Sequence, residues 1–189
     1  MVNIEEEKAI IKVLRSRFWT SGSGIGNVEK FEKKFNKYIG SNSTVAVNSG
    51  TAALHLALSL FDIKNKEVIL PSISFVSTAH AIIYNGGKPV FADVDEFLCL
   101  DPSSVESKIS DRTKAIMFVG MGGNPGQLNE IRKICDKYGL KLILDAAHMA
   151  GTFVNINNQE KHVGTEADIS VFSFQAVKNL PTADSGMIC

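Results

Sequence analysis

Apolar positions follow two rhythms along the chain. Residues 4–18 carry Ile10, Ile11, Val13, Leu14 and Phe18 among charges, the spacing of one helix face. Residues 28–39 repeat it with Val28, Phe31, Phe35 and Ile39, and Gly40 ends the run. Between them TSGSGIGN, residues 20–27, is too rich in Gly and Ser for regular structure. Short apolar runs of strand length follow at 44–47, 67–71, 89–94, 113–119, 140–144 and 167–174. Helical patterns over 52–61, 72–87 and 128–138 are interleaved with them. That alternation predicts βαβ units: a mainly parallel sheet with helices on both faces, a three-layer α/β/α architecture. No internal repeat or low-complexity linker interrupts it.

In such a sheet, ligand groups gather beyond the C-terminal ends of the strands. Several chemistry-bearing residues share that address. Asn48, Ser49, Gly50 and Thr51 join a strand to a helix N-terminus, where free N–H groups and the helix dipole favour an anion. The same residues also make a good N-cap, and both readings can hold together. Phe75 lies at a strand-to-helix junction, where it either packs in the core or offers a face to a ring. Asp93 and Asp95 follow a strand and read as turn chemistry. Asp145 ends a buried strand beside alanines, so its charge needs a cationic partner or hydrogen bonds. His148 follows three residues later. Ser173 ends the strand that leads to Lys178. Desolvation of a lysine there would free its amine as a nucleophile able to form a Schiff base with an aldehyde cofactor. Taken alone, Lys178 reads as a surface lysine; the shared address reverses that.

Charge narrows the partners. Twenty basic and twenty acidic residues cancel, which gives no electrostatic footprint for nucleic acid or an anionic membrane. Hydrophobic residues make up 44% of 189, enough for one packed core. Cys99, Cys135 and Cys189 are widely spaced and odd in number, suggesting neither a disulfide framework nor a zinc site. The acidic start MVNIEEEKAI is unlike a signal peptide, and no apolar run approaches a bilayer span. A soluble, cytoplasmic protein is expected.

Five segments in order carry a resemblance: NSGTAALHLAL, LPSISFVSTAHAI, KPVFADVD, LDAAHMAGT and SFQAVKNLPTADSGM. Together they resemble the DegT/StrS family of sugar aminotransferases, pyridoxal-phosphate (PLP) enzymes of the aspartate-aminotransferase fold, fold type I. WTSGSGIGNVEKFEKKF resembles that family's opening, so the likeness covers essentially the whole chain. It implies that Lys178 is the Schiff-base lysine and proton-moving base. Asp145 would pair with the pyridinium nitrogen and His148 would sit near the phenolic oxygen. Phe75 would lie against the ring, and Gly50, Thr51 and Ser173 would hold the phosphate. The implied reaction moves an amino group from an amino acid, usually glutamate, to a keto group of a nucleotide-linked sugar, in a homodimer. Two segments depart from the family: FVGMGGNPG lacks its usual His, and ADSGM replaces a Glu with paired glycines. Other fold-type-I enzymes, such as cysteine desulfurases and serine hydroxymethyltransferases, match the first two segments poorly. A dehydratase branch with His in place of the lysine is disfavoured by Lys178. A non-catalytic fragment keeping the fold is the alternative of another class.

Relatives implied by this resemblance continue through a small C-terminal domain. The chain is therefore expected to be the N-terminal part of the PLP-binding large domain, truncated, with 1–40 a helical segment, 41–189 an α/β core and the small domain absent. The final MIC reads as the next strand with no visible continuation to close the layer, so exposed strand edges are expected there.

Overall fold

A computed structural model describes residues 3–19, 26–156 and 158–189. Residues 20–25 of the expected Gly/Ser-rich loop lie outside the described residues. Helices α1 (Ile4–Ser16) and α2 (Asn27–Ile39) precede the sheet. Helix α1 starts on a capping box between Asn3 and Glu6 and stops at Arg17, whose left-handed backbone ends it two residues before the expected limit at 18.

Seven strands form one sheet: β1 (Val45–Val47), β2 (Glu67–Pro71), β3 (Lys88–Ala92), β4 (Thr113–Val119), β5 (Lys141–Asp145), β8 (Ile169–Ser173) and β9 (Gly186–Ile188). Their order is β1-β9-β8-β5-β4-β2-β3. The pairs β3–β2, β2–β4, β4–β5 and β5–β8 are parallel, as the alternation requires. Strand β9 is antiparallel to both β8 and β1. The MIC segment is thus an interior strand paired on both sides, which corrects the expected open edge; β1 and β3 are the edges.

Period-two alternation sends neighbouring side chains into two cores. Ile116, Phe118, Leu142, Leu144 and Phe172 join α2, α5 (Pro102–Lys108) and α6 (Leu128–Tyr138) on one face. Val68, Leu70, Ala115, Met117, Ile143 and Val171 join α3 (Gly50–Ser59) and α4 (Ser77–Tyr84) on the other. The three-layer fold follows directly. Phe35 of α2 meets Phe172 and Phe174 edge-to-face at 5.0 and 5.2 Å, which seats the strand that leads to Lys178.

Three elements depart from the periodic reading. Helix α4 is shorter than the expected 72–87, because residues 72–76 form the irregular turn that carries Phe75. Helix α5 and the hairpin β6 (Phe153–Ile156) with β7 (Gln159–His162) were not predicted. No helix among the described residues is long and apolar enough to cross a membrane.

Candidate active site

The C-terminal ends of β1, β2, β4, β5 and β8 share one edge of the sheet, and a cavity of about 540 Å³ opens there. That volume suits a small-molecule site. Gly50, Thr51, Phe75, Asp145, His148, Ser173 and Lys178, the seven residues to which the resemblance gives a role, all line it, as does Ser49; Asn48 does not.

Asp145 is the last residue of β5, and its alternation turns it to the α3/α4 face. It is 5% exposed. Burial pushes its carboxyl up to about 6, while the Ala147 N–H, donating to Oδ1 at 3.1 Å, and the charge of Lys178 act the other way. Among the described residues this carboxylate accepts one hydrogen bond, and its setting is of low dielectric, so a cationic N–H placed against it would be strongly held.

Lys178 follows a tight turn in which its N–H donates to Gln175 O at 2.8 Å. The loop is pinned at its base, where Phe174 N–H donates to Ser185 O and Phe174 O accepts from Thr182 N–H, both at 2.8 Å. The Lys178 Nζ lies 3.0 Å from His148 Nε2. The other ring nitrogen, Nδ1, accepts the Gly122 N–H at 3.2 Å. Burial and the neighbouring Lys178 charge hold the His148 imidazole below its ordinary range, favouring the neutral ring.

Another part of the wall offers hydrogen-bond donors that could hold an anion. Ser49 caps α3 by accepting the Ala52 N–H at 3.1 Å, which leaves the first-turn N–H groups of Gly50 and Thr51 for a ligand. Close approach of backbones makes this possible. A Cβ on Gly50 would lie 2.8 Å from Ser173 Cβ, and one on Gly186 would lie 2.5 Å from Ser49 C and O. The Ser173 hydroxyl, on a residue 8% exposed, makes no hydrogen bond among the described residues and borders the cavity. Phe75 is 71% exposed and lines the cavity. An acidic acceptor, a nearby amine, an exposed aromatic ring and a helix N-terminus with free donors together fit PLP, whose ring nitrogen, aldehyde and phosphate have the complementary chemistry.

The model of the DegT/DnrJ/EryC1/StrS aminotransferase family matches residues 2–189. The chain belongs to that family. Members of the DegT family use PLP. An uncharacterized protein of Methanocaldococcus jannaschii is 40% identical over 186 residues, 97% of this chain and 46% of that protein. The aminotransferase from Psychrobacter cryohalolentis superposes with a TM-score of 0.92 at 29% identity, covering 100% of this chain and 47% of its own. A putative sugar aminotransferase from Streptococcus pneumoniae, in its PLP form, gives 0.91 at 26% identity, covering 100% and 50%. This DegT-family chain spans about half the length of the relatives it matches.

Sequence reasoning passed over Ser77, Met121 and Asp184 in the cavity wall and Gly122 behind His148. Ser77, on the first turn of α4, is 7% exposed and borders the cavity, and its hydroxyl has no hydrogen bond among the described residues. Met121 and Asp184 line the wall, and Gly122 holds the histidine. Ser77 and Asp184 sat beside residues already singled out, Phe75 and Lys178, and that proximity was the available signal.

Proposed function

We propose that this chain carries the cofactor-holding part of a PLP-dependent sugar aminotransferase. In this reading the amine comes from an amino acid, L-glutamate first, and goes to a keto group on a nucleotide-linked sugar. The protein works as a homodimer in the cytoplasm. Residues 1–40 form a helical entry segment and 41–189 the α/β part that binds PLP.

The observation that carries the reading is the placement of Lys178 Nζ beside His148 in the cavity that contains Asp145. When bound, PLP supplies an electron sink and a carrier for the amino group. Asp145 would hold the ring N–H, and its own carboxylate form would be restored by that cation. Gly50 N–H, Thr51 N–H and the Ser173 hydroxyl would bind the phosphate, and Phe75 would cover the ring and exclude water. Lys178 Nζ would take a proton from the amino-acid carbon and return it on the other side of the reaction. His148 would keep that amine in place. The absence of net charge supports a small-molecule substrate over nucleic acid.

Two measurements test this. Borohydride reduction of the PLP-treated protein, followed by peptide mapping, should place the cofactor mass on Lys178, and Lys178→Ala should lose it. A cofactor trapped on a different lysine would refute the assignment. Amine transfer from glutamate should then be assayed on a panel of nucleotide-linked keto-sugars. Transfer to free keto acids alone would remove the sugar substrate.

A further inference from the structure

His148 has two nitrogens with different neighbours, and only one of them faces the site. Nε2 lies 3.0 Å from Lys178 Nζ. Nδ1 receives the backbone N–H of Gly122 at 3.2 Å. A backbone N–H can only donate, so Nδ1 must be the ring's unprotonated nitrogen. With the ring neutral, its single proton then sits on Nε2.

Gly122 reaches that position through an unusual turn. Gly122 and Gly123 have φ of 61° and 85°, in the left-handed region that glycine enters most readily. Gly123 N–H donates to Gly120 O at 3.1 Å, closing the turn. A Cβ on Gly123 would lie 3.0 Å from His148 O, so the turn packs directly on the histidine's backbone. Thr152 ties the two together: its hydroxyl donates to Gly123 O at 2.8 Å, while its N–H donates to Met149 O at 3.0 Å. The segment 120–123 and the segment 146–152 are thus one hydrogen-bonded unit with His148 in its centre.

We propose that the Gly122–Gly123 turn is a tautomer lock on His148, and that it makes the imidazole a hydrogen-bond donor toward Lys178. The 3.0 Å contact closes as N–H···N when Lys178 is the amine. An ammonium there would meet the same N–H donor against donor. With its proton on Nε2, His148 presents no lone pair to the cavity, so the lock prevents it from acting as the base in place of Lys178. Gly122, Gly123 and Thr152 are positioning residues, and they act through His148. The consequence for amine transfer rests on Lys178 being the cofactor lysine, whereas the position of the ring proton does not.

The test uses cofactor-free protein labelled with 15N-histidine, with the His148 signals assigned by loss in His148→Gln. Long-range 15N–1H spectra at mildly alkaline pH should show Nδ1 at the frequency of an unprotonated nitrogen and Nε2 at that of a protonated one. In Thr152→Val the two frequencies should move toward a common, averaged value, and Thr152→Ser should restore the native pattern. The three other histidines should keep their shifts and so report an intact fold. A native His148 with its proton on Nδ1 overturns the proposal, whatever the variants do. So does an unmoved tautomer in a folded Thr152→Val protein. Cofactor trapping at a different lysine would instead refute the function and leave the lock standing.

Discussion

Asp145 carries a conflict between folding and binding. Unfolded, its carboxyl titrates at its ordinary 3.8; folded and cofactor-free, at about 6. Between these values the folded state keeps a proton that the unfolded state has released, so stability falls as pH rises, by about 3 kcal/mol at most. Above about pH 6 the loss is complete. Asp145→Asn removes the buried charge at almost unchanged volume. The cofactor-free variant should be more stable than the native protein by about 1–3 kcal/mol above pH 6, with the gain gone below pH 4. Denaturant melts at several pH values check this, and a pH-independent difference would refute it. The same variant should bind PLP yet transfer amines far more slowly, because an amide cannot stabilise a ring cation. Ala183 shows strain of a different kind: its φ of 81° is left-handed, in the loop that presents Asp184 to the cavity. Ala183→Gly should stabilise the protein by roughly 0.5–1 kcal/mol, the left-handed penalty less glycine's extra freedom when unfolded. Unchanged stability would mean that the loop relaxes without cost.

At the scale of elements, the N-terminus of α3 stands where it does because Gly186 of β9 lets Ser49 approach. Gly186→Ala would put a methyl 2.5 Å from the Ser49 carbonyl, and backbone must move. The expected cost is about 1–3 kcal/mol, with a loss of PLP affinity larger than that of any change on the opposite face of the sheet. Equal affinity by titration would show that α3 is not held from β9. Strands β2 and β4 and helix α6 were legible in the sequence to within a residue, because long apolar runs and helical spacing leave one solution. Helix α5 was not, since Val105 is its one buried side chain and only Asp101 and Pro102 mark its start. The hairpin β6–β7 pairs only with itself, so the polar QEKH strand had no alternation to betray it. The candidate site was legible where chemistry coincided with a strand end, as at Asp145 and Ser173, or followed one, as at Lys178. Gly122 and Ser77 were not, because their value depends on which turn folds over which strand, and that is a tertiary fact.

Over the whole molecule, the accessible surface is 10665 Å², against about 8,800 Å² for a compact monomer of 20.5 kDa. Part of the excess is α1, which buries none of its residues and exposes Ile4, Ile10 and Leu14. More lies on the outer faces of α3 and α4, with Leu56, Leu60, Ile83 and Tyr84, and around the cavity, with Phe75 and Val177. Apolar surface of this extent is normally covered by more protein. The relatives are about twice as long, which leaves room for such a cover. Every group assigned to PLP lies between Gly50 and Lys178 and is positioned by local turns or by the sheet itself. Cofactor capture and substrate positioning should therefore separate. Residues 1–189 produced alone should be trapped with PLP on Lys178 by borohydride. Amine transfer from glutamate should nevertheless run at least a thousandfold below that of a full-length relative, since positioning can supply roughly 7–11 kcal/mol of a barrier. The two assays on one preparation check this. Turnover within tenfold of the relative would show that the exposed cavity already holds both substrates and that the uncovered surface does not limit activity.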